Sequence, residues 1–354
     1  LWGSAITTRE KAKWFAVAFL ASLVAFVVST PGVLGEPAAF RAHFAYELEH
    51  TSTGHGLVFV GTPPAPIYHF INLFEGYGLL LVFFSLYGAF MGAKQRNVHL
   101  AGPLLFALVT YVVIARAEVK FLRYTLPLIP PLALAFGYAV SEWHRKGSTG
   151  ARLGVVGAFF AVSGLGMGGA MGAAKYTVFM TMPDPRESAA SFLREQAKPG
   201  QTVGFVSPPW FYSVPLYPLA TAPRFVPPEQ RAAAMAEANP PVVVTEGEWN
   251  LALFDQRPDF IVFSSFEVSD RLRIREIPNL DPAYKAPLDA FLAFEKRLAE
   301  EYELARPVNL GPDIHDMIYV QPRIWIYRRK ATSQTPATNT STTSDTSEAP
   351  ANTP

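Results

Sequence analysis

Glu118-Val-Lys-Phe-Leu-Arg-Tyr-Thr-Leu-Pro-Leu-Ile-Pro-Pro131 places one acid and two bases directly before an uncharged, proline-punctuated run that continues to Ser141. The run is long enough to cross lipid, and the bases stand at its edge. On a helix, Arg116, Lys120 and Arg123, spaced four and then three apart, form one basic stripe. Two readings follow from the pattern itself. The stripe is a membrane-edge anchor that snorkels and pairs with Glu118, or it is a site for an anion such as phosphate, for which Arg and Lys are the usual cations.

Four other uncharged runs flank this one. With it they predict five transmembrane helices at about 14–35, 76–93, 98–115, 124–141 and 153–174, each near the roughly 20 residues that span a bilayer. Such runs must be helical, because lipid offers backbone groups no partner. Pro127, Pro130 and Pro131 are expected to kink the fourth, and Gly164, Gly166, Gly168 and Gly169 to allow close packing in the fifth. Arg9, Lys11 and Lys13, then Lys94 and Arg96, then Arg145, Lys146 and Arg152 mark alternate connections as cytoplasmic. Residues 36–75, 116–123 and everything after Ala174 then face outward. Arg116, Lys120 and Arg123 become exceptions to the charge rule that placed them.

The chain has 354 residues, no cysteine and a formal net charge of +1. Disulfides and thiol chemistry are excluded, and the charge gives no case for nucleic acid. It opens at Leu1 without the pattern of a cleavable signal peptide, so a fragment lacking its N-terminal part is expected.

Residues 36–50 place Phe40, Phe44 and Leu48 four apart, the pattern of a helix lying in the membrane surface. His50-Thr-Ser-Thr-Gly-His-Gly56 and Gly61-Thr-Pro-Pro-Ala-Pro66 follow as a turn-rich outward loop. The spacings of His50, His55 and His69 match no zinc motif, and no metal site is assigned. Glu75, at the mouth of the second span, is expected to face a polar cavity or pair with a base, since a carboxylate facing lipid is costly.

Residues 176–330 read as a small extracytoplasmic α/β domain. Asp184-Pro-Arg-Glu187 is a helix start running to about Gln196. Strands are expected at 202–206, 242–245, 260–264, 317–320 and 324–327, and helices at 229–238 and 287–302. Pro208-Pro-Trp-Phe-Tyr212 and Tyr217-Pro218 form an aromatic cluster that packs a loop or stacks on sugar rings. Residues 331–354, rich in Ser, Thr and Pro, are expected to be a disordered tail.

Glu49-His-Thr-Ser-Thr-Gly-His-Gly56 with Thr62-Pro-Pro-Ala-Pro-Ile-Tyr-His69, then Lys120-Phe-Leu-Arg-Tyr-Thr-Leu-Pro-Leu-Ile-Pro-Pro131, then a terminal domain opening Asp184-Pro-Arg-Glu187, follow one another in order. Together they resemble the C-terminal half of polytopic glycosyltransferases of the GT-C fold that use polyprenyl-phosphate sugars, the protein O-mannosyltransferase and aminoarabinose transferase type. The resemblance covers roughly residues 10–330. It implies a partial GT-C fold and transfer of a sugar from a polyprenyl-phosphate donor to a hydroxyl acceptor at the outer membrane face. The bilayer, the lipid-linked sugar and the acceptor are the partners it implies. Lys120, Arg123 and Arg116 would then meet the donor phosphate, and His50, His55, Tyr68, His69, Glu75 and Tyr124 would be contacts of the substrate loop. No cofactor is assigned, and a divalent metal is left open. The family's acidic base belongs to a loop with no counterpart here, so the resemblance implies that the catalytic half lies upstream and that this piece is inactive alone. A transporter or polysaccharide-assembly protein, and a membrane-anchored binding domain, are the other classes considered.

Overall fold

The computed structural model describes residues 7–147, 149–150, 152–153, 155–156, 169–216, 237–308 and 321–331. They form a helical region with an apolar exterior and a domain built on a small mixed sheet. α1 (Thr8–Ser29) begins with a capping box in which the Thr7 side chain accepts from the Glu10 backbone and the Glu10 carboxylate accepts from Thr7 N at 3.0 Å. None of its Ala12–Ser29 window is buried. After a single turn, α2 (Gly32–Gly35), the helix expected at 36–50 forms as α3 (Pro37–Thr53). It stops at Gly54, whose φ of +97° lies where a side chain is disfavoured.

α4 (Ala65–Gly76) and α5 (Leu79–Lys94) meet at 112°. Gly78, at φ +104°, turns the chain between them. α6 (Val98–Ile114) is capped by Asn97, whose side chain accepts from His99 N at 3.0 Å. A 3-10 segment, Leu122–Leu128, leads into α7 (Ile129–Lys146). Pro130 and Pro131 fall in the first turn of α7, where a missing N–H costs no helical bond, so they start this helix and do not kink it.

Two helices, Ala12–Ser29 and Leu122–Arg145, are long and apolar enough to cross a membrane, or three if the bent α4–α5 pair is one span. The expectation of five is met only that far. The run at 76–93 starts at the sharp bend. The run at 98–115 makes a 17-residue helix, about 25 Å long at 1.5 Å per residue and short of the roughly 30 Å hydrocarbon core. Most of the run at 153–174, with Gly164, Gly166 and Gly168, lies outside the described residues; α8 (Gly169–Thr181) begins near its end. α5 and α7 pack backbone to backbone. A methyl on Gly88 would stand 1.9 Å from the Ala135 carbonyl oxygen and 3.1 Å from the Ala139 methyl.

In the α/β domain, α9 (Pro185–Gln196) starts at Asp184, whose carboxylate accepts from Arg186 N at 2.8 Å. The sheet runs β2-β1-β3-β5-β4: β1 (Val203–Phe205) pairs in parallel with β2 (Val242–Val244) and β3 (Phe260–Ser264), and β5 (Ile324–Arg329) runs antiparallel to β3 and to β4 (Tyr302–Val308). Alternation along β3 serves two cores. Phe260 and Val262 join Ala189, Ala190 and Leu193 of α9. Ile261 and Phe263 join Trp249, Phe254 after the short α10 (Ala252–Asp255) begins, Val268 and Ile274 of α11 (Ser265–Arg275), and Phe291, Phe294 and Leu298 of α12 (Pro282–Glu301). The sheet is therefore covered on both faces. The described partners of β5 are β3 and β4. The strand expected at 317–320, the helix residues 229–236, Tyr217-Pro218 and the tail 332–354 lie outside the described residues.

Candidate functional site

The basic stripe expected on a helix does not form. Thr51 O accepts from Glu118 N at 2.9 Å and from Val119 N at 3.4 Å, which ties the chain leaving α6 to the end of α3 in place of a further helical turn. Lys120 is buried, and its Nζ donates to Pro63 O at 3.1 Å. It lies 5.7 Å from the Tyr68 ring and 6.0 Å from the Phe59 ring, while Asn72 Nδ2 donates to its carbonyl at 2.9 Å. Burial lowers the pKa of its ammonium, with Glu118 opposing the shift and Arg273 adding to it. Lys120 is thus a tether between this connection and the loop around Pro63. Arg116 is exposed in the turn after α6. Arg123, also exposed, lays its guanidinium 3.9 Å from the Phe121 ring centroid and 5.7 Å from that of Tyr124.

Arg123 opens on a cavity of about 460 Å³ lined by Tyr46, Glu47, His50, His55, Phe121, Tyr124 and, from the α/β domain, Trp210, Phe211 and Phe266. One wall is a run of rings. Tyr46 stacks on His50 at 5.8 Å, His50 meets His55 edge-on at 4.9 Å, and His55 meets Phe121 at 5.7 Å. His50 Nε2 and His55 Nδ1 are 3.1 Å apart, a hydrogen bond for which one nitrogen must carry a proton and the other a lone pair. Burial, then the charges of His50 and Arg123, lower the pKa of His55 against the pull of Asp270. Of the residues expected at a substrate loop, His50, His55 and Tyr124 share this cavity with Arg123, which was expected at the donor phosphate. The other candidates stand apart. Tyr68 packs beside Lys120, His69 is fully buried on α4, and Glu75 is half-buried at the end of the same helix.

His50, His55 and Phe266 also border a second cavity of about 670 Å³ between the loop residues Gly54 to Val58 and the α/β domain. Its domain side carries Ser207 and Tyr212 beyond β1, Glu248 and Trp249, and Glu267, Asp270 and Arg271 of α11. Glu267 closes the capping box that starts α11: Oε2 accepts from Ser264 N at 2.8 Å and Ser264 Oγ at 2.9 Å, and Oε1 from Ser207 Oγ at 2.5 Å. Burial outweighs these bonds and pushes its pKa up to about 7. Burial, then the Glu267 charge, pushes the Tyr212 phenol up to about 12. Arg271 pairs with Glu248 and donates from Nη1 to Glu267 O at 2.8 Å.

Arg273 joins the two regions. Its guanidinium donates to Val60 O at 2.9 Å, Leu57 O at 2.7 Å and Val58 O at 2.8 Å, and pairs with Asp270 at 3.0 Å. Beside it, a methyl on Gly61 would stand 2.2 Å from Ile277 Cδ1.

On the domain side of the cavities, the aromatic cluster of the sequence reading supplies Trp210, Phe211 and Tyr212, while Ser207, Glu248, Trp249, Phe266, Glu267, Asp270 and Arg271 escape it. A local signal existed for one residue, because Ser264-Ser-Phe-Glu267 at a strand end has the spacing of a capping box. None existed for Arg273, whose acceptors are more than 200 positions away. Among the described residues no three metal-ligating side chains come together. Comparison with protein-family models, with curated proteins and with solved structures gave no match.

Proposed function

We propose that this chain is the C-terminal part of an integral membrane glycosyltransferase that passes a sugar from a polyprenyl-phosphate donor to a hydroxyl acceptor, with the α/β domain on the outer side. One observation carries the reading. Arg123 stands exposed in the first turn of the candidate span Leu122–Arg145, the end that in this reading meets the lipid phosphates, and no described carboxylate pairs with it. It borders a cavity whose rings, Tyr124, Trp210 and Phe211, offer surfaces to a sugar.

In such a transfer the bond from the acceptor oxygen to the anomeric carbon forms as the bond to the phosphate oxygen breaks, and negative charge collects on the departing phosphate. A fixed guanidinium at that oxygen lowers the barrier more than it tightens substrate binding. Arg123 takes that role. Lys120 serves the site indirectly by holding the Pro63 carbonyl and with it the loop. No residue of this chain is assigned as the general base.

The test is binding, because it does not need the full activity. The chain in nanodiscs should bind undecaprenyl phosphate at least about tenfold more tightly than undecaprenol, and Arg123→Gln should erase that preference, a change of about 1.4 kcal/mol. Equal affinity for the two lipids, or a preference unchanged in Arg123→Gln, would overturn the assignment.

A further inference from the structure

Two buried N–H groups at the wall of the larger cavity have no hydrogen-bond partner among the described residues: Trp249 Nε1 and Arg271 Nε. Their residues are 2% and 9% exposed. Leaving a buried donor unmatched forfeits its hydrogen bond to water with nothing in return, so both groups call for an acceptor. Arg271 is only partly used. Nη1 donates to Glu267 O and Nη2 to Glu248, and Nε is left over on the edge that a two-oxygen acceptor would take. The Glu248 side chain is 51% exposed and is therefore the movable part of this wall.

The surroundings select the chemistry of the acceptor. An anion would meet Glu248, Glu267 and Asp270, which line the same cavity. A cation would bring more donors to groups that already donate. A hydroxyl accepts from Nε or Nε1, donates to the Glu248 or Asp270 carboxylate, and carries no charge. Tyr212 and Phe266 are stacked at 4.7 Å with 18° between their planes, and both face this space; their apolar faces suit the C–H side of a sugar ring. The volume falls within the roughly 300–1,000 Å³ of small-molecule sites.

We propose that the cavity between the α/β domain and loop residues Gly54 to Val58 binds a neutral, polyhydroxylated ligand of the carbohydrate class. Arg271 and Trp249 supply donors, Glu248 and Asp270 acceptors, and Tyr212 with Phe266 the stacking surface. The site goes beyond the phosphate reading and stands without it, since the ligand has no phosphate and need not touch Arg123.

The full chain in nanodiscs is titrated with maltotriose, mannotriose and N,N′-diacetylchitobiose, with galacturonic acid and spermidine as charged counterparts, and binding is followed by saturation-transfer NMR. At least one neutral saccharide should bind more tightly than either charged compound. Arg271→Lys, which keeps the charge and removes Nε, should weaken it about tenfold or more. Glu248→Gln, at a half-exposed position that leaves the core intact, should weaken it about fivefold. Arg123→Gln should leave it unchanged while abolishing the preference for undecaprenyl phosphate, so the two sites fail separately. No binding of any neutral saccharide, tighter binding of the acid or the amine, or saccharide binding untouched by both Arg271→Lys and Glu248→Gln would each overturn the proposal.

Discussion

Phe260 to Ser264 of β3 are buried at every position and covered by helices on both faces, whereas Phe15, Phe19, Val24 and Val28 of α1 are all exposed. Both stretches are apolar, yet they use that character differently. In the α/β domain water is the surrounding medium, so large side chains gather inward and the packing of Trp249, Phe291 and Phe294 at ring distances near 5 Å holds the fold. In the helical region the large side chains point out, as they do in lipid. Where α5 and α7 approach most closely the residues are small, Gly88 against Ala135 and Ala139, and only a few large side chains, among them Leu73, Val82, Leu128 and Leu132, are buried between the helices. The same residue type is therefore structural in one region and solvent-facing in the other.

Phenylalanine truncation tests this contrast most strongly. Phe294→Ala, at a fully buried position, should destabilise the α/β domain by about 3–5 kcal/mol, read as a lowered melting temperature, while Phe19→Ala on α1 should change it by no more than about 0.5 kcal/mol. Comparable losses from both would erase the distinction.

The next effect is confined to the domain. Glu267 rises from an ordinary 4.5 to about 7, so between those pH values the folded chain holds a proton that the unfolded chain has released. The contribution of Glu267 to stability should therefore be full below pH 4.5, fall as pH climbs to 7, and stay level above, a loss of about 3 kcal/mol at roughly 1.4 kcal/mol per pH unit. Glu267→Gln should flatten melting temperature against pH in that window, and an unchanged slope would assign the dependence to another group.

In the helical region, Gly88→Ala should cost about 1–3 kcal/mol because the new methyl meets a backbone carbonyl. Gly137→Ala on the partner helix, where nothing lies within 4 Å, should be neutral or slightly stabilising. Thermal unfolding in detergent micelles separates the two. Apart from the controls Phe19→Ala and Gly137→Ala, the smallest expected effect is Asp184→Ala at the start of α9, about 1 kcal/mol from the lost cap.

The legible parts of the sequence were those where one local rule decides. Asp184-Pro-Arg-Glu187 marks a helix start in any context, and α9 forms at that place. Valine and phenylalanine runs bounded by turns became β1, β2 and β3. Helix α11 was hidden because Phe266, Val268 and Ile274 alternate with Asp270, Arg271, Arg273 and Arg275, a charge density that masks the apolar face. The number of spans was hard to read because length measures apolar residues, not where a glycine such as Gly78 turns the chain. At the site, residue types pointed to Lys120 and Arg123 equally. Only the fold separates them, by sending one ammonium to the Pro63 carbonyl and leaving one guanidinium in the open.

Arg273 gives that arrangement a mechanical side. Three carbonyls of the loop converge on one guanidinium carried by α11, the helix that also carries Glu267, Asp270 and Arg271. The loop and the helix are geared together. Any tilt of α11 that widens the larger cavity must drag residues 57–60 along, and through Pro63 and Lys120 the tug reaches the connection that carries Arg123. Two cavities that already share His50, His55 and Phe266 would then open and close as one.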